Sequence, residues 1–117
     1  MPEVIRFDRS AADLVENYGA SGTSSVHLGS GVGPSHTYVL HFEPGGSIGT
    51  HETGFGQLFV VVAGDAWVDV AGDRIDVASG QAVVIPRGVL HSNGSESGGT
   101  VVMVQVFDLE KDANSER

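Results

Sequence analysis

The residues of this chain that could take part in chemistry lie in two short polar blocks among runs of valine. The block at residues 45–64 contains His51, Thr53 and Gln57. The block at residues 80–91 ends in His91. A polar group buried without a partner costs roughly 1 to 3 kcal/mol, so polar side chains kept among valines indicate a pocket rather than plain core.

The spacing of the two blocks resembles the two motifs of the cupin family. The first motif spaces Gly, five residues, His-x-His, three or four residues, Glu, six residues and Gly, and the residues in register with it are Gly45, His51 and Gly64. The second spaces Gly, five residues, Pro-x-Gly, two residues, His, three residues and Asn, and the residues that match it are Gly80, Pro86, Gly88 and His91. The resemblance covers roughly residues 34 to 107.

Three positions depart from the family's pattern. Thr53 stands where the second His of the first motif is expected, and Gln57 stands where its Glu is expected. Ser95 holds the place of the final Asn of the second motif, with Asn93 nearby. A hydroxyl is a poor metal ligand beside imidazole, and an amide brings no negative charge.

The resemblance implies an all-β fold, the cupin double-sheet jelly-roll β-barrel. We expect one domain over residues 1–117, with the barrel core at about 34–107 and a charged tail at 108–117. For function it implies a metal-dependent enzyme of the dioxygenase, isomerase or lyase type that acts on a small organic molecule in the barrel. The alternative is a metal-free or weakly metal-binding module that binds or senses a small ligand.

In a metal-binding cupin the motif residues converge on one divalent ion, which could here be Zn, Ni, Mn, Fe or Cu. Carried over by position, the ligands are His51, Gln57 and His91. His36 is the candidate for a fourth ligand, because it shares a strand face with Tyr38 and Leu40 that we expect to look inward. Without a metal, the same three polar side chains could hydrogen-bond one another in a dry pocket.

Other side chains could line the pocket around this site. Thr53 shares the strand face of His51 if the strand continues that far. The remaining candidates are large apolar or aromatic residues, which also occur as ordinary core: Tyr38, Phe42, Phe55, Trp67 and Met103.

Composition limits the partners. The chain has 6 basic and 15 acidic side chains and a formal charge of −9, which disfavours nucleic acid and anionic membranes. Cysteine is absent, which excludes thiol catalysis and disulfides. The first residues lack a signal-peptide pattern and no apolar run approaches a membrane span, so we expect a cytoplasmic protein with a small-molecule ligand.

From residue 36 onward the sequence predicts short strands separated by turns. Before it, Ser10 and Asp13 resemble a capping box and predict a brief helix. Gly64-Asp65 predicts a tight hairpin between two strands. If Gln57 points inward, Leu58, Val60 and Val62 point outward, and this face needs cover from another sheet, the N-terminal segment or a second subunit. Because cupins commonly dimerise through such faces, we expect a homodimer.

Overall fold

The computed structural model describes residues 3–111 and confirms that the protein is all-β. Its strands are Val4–Arg6 (β1), Asp13–Leu14 (β2), Ser24–Ser25 (β3), Gly29–Phe42 (β4), Ser47–His51 (β5), Gly56–Val70 (β6), Asp73–Ala78 (β7), Gln81–Ile85 (β8), His91–Gly94 (β9) and Gly99–Lys111 (β10). Every strand pair is antiparallel. None of the helices formed by residues 3–111 is long and apolar enough to cross a membrane.

The long strand β6 belongs to two layers of sheet. Its first half pairs with β8 and β10, in a front layer ordered β1-β8-β6-β10-β4. Its second half pairs with β7 and β9, and β5 extends this back layer by pairing with β9. Strand β4 therefore forms one edge of the front layer and β5 one edge of the back layer. Closure of the layers into a jelly-roll barrel stays a prediction.

The expected hairpin at Gly64-Asp65 is wrong, because β6 runs through both residues. A bulge opposite Thr100 and Val101 shifts the register of β6, and Gly64 then takes a left-handed φ of +70°. A side chain at Gly64 would collide with the backbone of Gly98 and Gly99. The motif glycine thus lets one strand bend from the front layer into the back layer.

The core lies between the two layers. On β6 the inward residues change from odd numbers, such as Phe59 and Val61, to even numbers, such as Val68 and Val70, because the bulge adds a residue. Both layers contribute to one buried apolar cluster: Phe59, Val61, Ala66, Val68, Val70, Val77, Val83, Ile85, Val101 and Met103. The space between the layers is therefore apolar and rich in valine.

The outer face of the front layer is covered in part by the chain itself. Leu58 and Val60 are buried there, and the side chains packed on their cluster include Ile5, Phe7 and Leu28. The N-terminal segment is thus one of the three expected covers. Val62, further along the same face, is still 45% exposed.

The two ends of the described chain differ from expectation. The predicted helix is absent from residues 10–15; the chain forms a 3-10 turn at Arg9–Ala11 and then β2. The reason is that the Ser10 hydroxyl, expected to cap the helix, donates to the Asp8 carboxylate instead. At the other end, residues 108–111 form the end of β10 and pair with residues 29–32, so the expected charged tail begins as a strand. The rest of the predicted tail lies outside the described residues.

Candidate functional site

The two motif histidines lie side by side where β5 pairs with β9. His51 is the direct partner of His91 in this antiparallel ladder. Their ring centroids are 4.5 Å apart and the ring planes are tilted by 53°. The predicted convergence of the two sequence blocks is therefore seen at its two imidazoles.

Each imidazole is fixed by a backbone carbonyl two residues earlier in the chain. Nδ1 of His51 donates to the carbonyl of Gly49 at 2.7 Å, and Nδ1 of His91 donates to that of Val89 at 3.0 Å. A carbonyl can only accept, so Nδ1 must carry the proton in both neutral rings. Both Nε2 atoms then keep a free lone pair, the arrangement usual for histidines that bind metals.

The two histidines differ in exposure. His91 is 1% exposed, and its Nε2 has no hydrogen-bond partner. His51 lies on the edge strand β5 and is exposed. Of the two adjacent imidazoles, His91 therefore lies between the two layers and His51 is open to solvent at the β5 edge.

Gln57 lies at the start of β6, on the inner face of the front layer. It is 2% exposed, and it is flanked in the sheet by Ile85 on β8 and Gln105 on β10. Its Oε1 has no hydrogen-bond partner. The amide at the family's carboxylate position is therefore buried with an unused acceptor.

Asn93 is a buried polar residue that the sequence analysis did not select. It lies two residues after His91 on β9, so the two side chains share a face, and it is 1% exposed. Its Oδ1 also has no partner. Strand alternation from His91 could have identified it, whereas the family spacing directed attention to residue 95.

The loop after β9 is held by Asp65 of β6. Ser95 and Ser97 both donate hydroxyl hydrogen bonds to its carboxylate, and Ser95 also accepts the backbone N–H of Gly98. These bonds, first that of Ser97 and then that of Ser95, hold the pKa of Asp65 below its ordinary value. Ser95, at the family's Asn position, thus ties down the loop that follows the site.

His36 does not group with the other two histidines as a fourth ligand. Among residues 3–111 no three His, Asp or Glu side chains lie close enough together to hold a metal ion. His36 is on the inner row of β4, with β10 between it and Gln57. Its ring instead packs edge-on against Phe55 at 5.3 Å and stacks on Tyr38 at 6.4 Å.

The six predicted pocket-lining residues take different positions. Met103 is buried in the inner core, and Phe42 packs against it. Phe55 is half-buried and Tyr38 is 50% exposed beside His36. The hydroxyl of Thr53 accepts the backbone N–H of Phe55, which occupies it within its own loop.

Trp67 is the one of the six that faces away from the interior. It alternates with the core residues Ala66 and Val68, so its indole lies on the outer face of the back layer. There the guanidinium of Arg74 sits over the ring, 4.4 Å from its centroid. The sequence prediction selected Trp67 for its aromatic ring and did not assign it to a strand face.

Solved structures similar to this chain share its fold. A conserved protein of unknown function from Streptococcus pyogenes has a TM-score of 0.60 and 23% identity, over 68% of this chain and 67% of that one. An RmlC-like cupin from Shewanella frigidimarina has a TM-score of 0.58 and 22% identity, over 61% and 64%. Salicylate 1,2-dioxygenase from Pseudoaminobacter salicylatoxidans has a TM-score of 0.58 and 18% identity, over 61% of this chain but 19% of that one.

Two further comparisons concern sequence. No protein among the curated sequences matches this chain. The family model described as "Cupin domain" matches residues 38–107, which is more than half of the chain and includes both histidines of the site. The protein therefore belongs to the cupin family.

Proposed function

We propose that this cupin binds a divalent transition-metal ion through Nε2 of His51 and Nε2 of His91, with Oε1 of Gln57 as a third donor. The observation that carries the proposal is the pair of imidazoles with centroids 4.5 Å apart and both Nδ1 atoms bonded to backbone carbonyls. Zn, Ni, Mn, Fe and Cu all accept imidazole nitrogen, and amide oxygen suits the harder of them.

The spacing of the rings fits a shared ion. A zinc–imidazole bond is about 2.0 to 2.1 Å long, so two rings on one ion have centres roughly 4 to 6 Å apart. The buried acceptors also fit, because His91 Nε2 and Gln57 Oε1 have lone pairs and no donor. Each of the two atoms therefore offers a lone pair that a cation could accept.

The charge of this donor set is its main departure from the family. Two neutral imidazoles and one amide leave the charge of a divalent ion uncompensated, so we expect modest affinity and an ion completed by water or by an anionic ligand. When bound, such an ion supplies Lewis-acid polarisation or a platform for dioxygen. The chain itself holds the two Nε2 lone pairs in place and keeps water from the inner side of the site.

We propose a metal-dependent enzyme of the dioxygenase, isomerase or lyase type as the activity, with a small organic molecule as substrate. The exposed β5 edge at His51 gives a ligand access to the site from solvent. The half-exposed aromatic rings of Tyr38 and Phe55, with His36 between them, offer an apolar surface along β4. Similarity to a dioxygenase at 18% identity supports the fold and leaves the reaction class open.

Metal titration tests the proposal directly. Metal-free protein should bind Zn²⁺ or Ni²⁺ with a stoichiometry of one per chain in calorimetry, and His51→Ala and His91→Ala should each abolish this binding. His41→Ala is the matched control, because His41 is an exposed histidine on β4 whose Nδ1 lies against the Thr100 hydroxyl. Absence of binding by the natural protein would reject the metal-dependent function.

A metal-free binding module is the second candidate. It is favoured by the lack of any cluster of three His, Asp or Glu side chains in the described part of the chain. In this case the buried acceptors would receive hydrogen bonds from a small ligand. Binding of small polar molecules to protein stripped of metal, unchanged by added Zn²⁺, would select this function over the first.

A further inference from the structure

Asn93 is buried on the same strand face as His91 and faces the core. His91 pairs with Val70 and Asn93 pairs with Val68 across β9 and β6, and both valines belong to the inner cluster. Strand β5 adjoins β9 on its other side, where Ile48 is the partner of Asn93 and His51 that of His91. Asn93 therefore occupies the row of the back layer next to the two histidines.

The amide of Asn93 has an acceptor that the protein does not use. Leaving a buried carbonyl without a donor costs about 1 to 3 kcal/mol. Ser95, two residues later, is equally buried but has partners. Its hydroxyl donates to the Asp65 carboxylate and accepts the backbone N–H of Gly98. The chain thus satisfies the Ser95 hydroxyl just after β9 and leaves the Asn93 Oδ1 on β9 without a partner.

The unpaired buried side-chain atoms of the described residues are of one chemical kind. They are Gln57 Oε1, His91 Nε2 and Asn93 Oδ1. All three are lone-pair acceptors, given the His91 proton on Nδ1. None of the three atoms receives a hydrogen bond within the described residues, so each has a lone pair open to a cation or to a donor from a ligand.

We infer that Asn93 is a further donor to the metal site, through its Oδ1. This inference rests on the proposed function and extends it. The donor set becomes two imidazole nitrogens and two amide oxygens, all neutral. Asn93 stands two residues before the position of the family's final Asn, where Ser95 instead holds the loop.

The test is calorimetric titration of metal-free protein with Zn²⁺, in the natural chain and three variants. Asn93→Leu keeps the side-chain size and removes the acceptor, and it should weaken binding roughly 10- to 100-fold. Asn93→Asp adds a negative charge at the same place and should tighten binding about tenfold or more, since ligand charge tunes metal affinity. Asn17→Asp, at an exposed site, adds the same charge elsewhere and should leave the affinity within about twofold, because exposed charges are screened.

Thermal melting separates a metal donor from a structural residue. Ligand binding raises the melting temperature by an amount that grows with the logarithm of the affinity, so Asn93→Leu should reduce the Zn²⁺-induced rise. The metal-free variant should melt no lower than the natural chain. If Asn93→Leu does not fold, Asn93→Asp decides the question, and no gain over the natural chain overturns the inference.

The outcomes distinguish the two proposals. Zn²⁺ binding that is equal in the natural chain, Asn93→Leu and Asn93→Asp overturns the role of Asn93 and leaves the proposed function standing. No Zn²⁺ binding by the natural chain overturns both.

Discussion

His51 and His91 are direct partners across the β5–β9 ladder, and each donates Nδ1–H to the carbonyl two residues before it. The backbone of two strands therefore sets both the spacing of the rings and the nitrogen that each presents. The arrangement needs no third histidine to orient it. This explains how Thr53 can stand at the second histidine position while the remaining pair keeps its geometry.

Gln57→Glu should tighten metal binding and weaken the metal-free fold. Gln57 is 2% exposed, so a carboxylate there gives the ion a charged partner when metal is bound. Without metal the same charge is buried and unpaired, which disfavours the folded state. We expect a gain in Zn²⁺ affinity by calorimetry and a lower melting temperature for the metal-free variant.

Gln81→Glu is the control for this prediction. Gln81 is half-buried, and its Oε1 accepts the backbone N–H of Ala78, which a carboxylate can also do. We expect no change in metal affinity. Equal gains in the two variants would show a general effect of charge and contradict a direct role for Gln57.

The sequence alone predicted the part of the site that depends on motif spacing. The cupin pattern fixes the separation of His51 and His91, and the two are direct partners across β5 and β9. The joint role of His51, Gln57 and His91 stays a prediction. Trp67 was selected for its aromatic ring, but it faces outward, because a one-residue bulge before Gly64 changes which residues of β6 point inward and the hydrophobic pattern does not reveal a bulge. Asn93 was not selected because its burial and its unpartnered Oδ1 are known only once the side chains and all hydrogen bonds are in place.

At the two ends of the described chain, the local sequence pattern also failed to predict the structure. Ser10 has the right spacing from Asp13 for a capping box, but its hydroxyl pairs with Asp8, which in turn binds Arg6. Asp108 looks like the start of a polar tail, yet it is paired in β10 and its carboxylate meets Arg87 at 3.2 Å. A competing local hydrogen bond decided the first case and pairing with distant residues decided the second.

Gly64→Ala should destabilise the fold more than Gly72→Ala. Both glycines have left-handed φ, +70° and +89°, so alanine is strained at either position. A Cβ at Gly72 meets nothing within 4 Å, whereas at Gly64 it collides with the backbone of Gly98 and Gly99. We expect a loss of about 1 to 2 kcal/mol for Gly72→Ala from backbone strain, and a larger loss for Gly64→Ala, in urea unfolding. Equal losses would show that the close packing of Gly64 does not matter.

The hydrogen bonds to Asp65 should make stability fall at acid pH. The pKa of Asp65 in the folded protein lies below its ordinary value of 3.8, chiefly because Ser97 and Ser95 donate to the carboxylate. A lowered folded pKa stabilises the protein above the ordinary pKa, and this contribution is lost as the pH falls below about 4 towards the folded pKa. Asp65→Asn should be less stable than the natural chain at pH 7 and should lose less on acidification. Melting temperatures of both proteins from pH 7 to pH 3 check this, and parallel curves would contradict it.

The last prediction is that the protein is a homodimer that uses the free edge of β4. In one row across the outer face, Val60 is 8% exposed, Val102 is half-buried and Val39 is 56% exposed, so the apolar cover supplied by the N-terminal segment ends before β4. β4 is long and pairs on one side only, and such edges are hazards unless covered. Val39→Lys adds a charge to this edge and should shift the protein to monomer in sedimentation at micromolar concentration.

Leu14→Lys is the matched control, because Leu14 is 66% exposed on β2, which pairs with β3 in a separate two-stranded sheet. It should leave the dimer intact, since a lysine there repels no partner across the β4 edge. A natural chain that sediments only as a monomer, or a dimer unaffected by Val39→Lys, would contradict an interface at β4. In the second case, the same substitution at Val62, which is 45% exposed on the outer face, would show whether the partner instead covers β6.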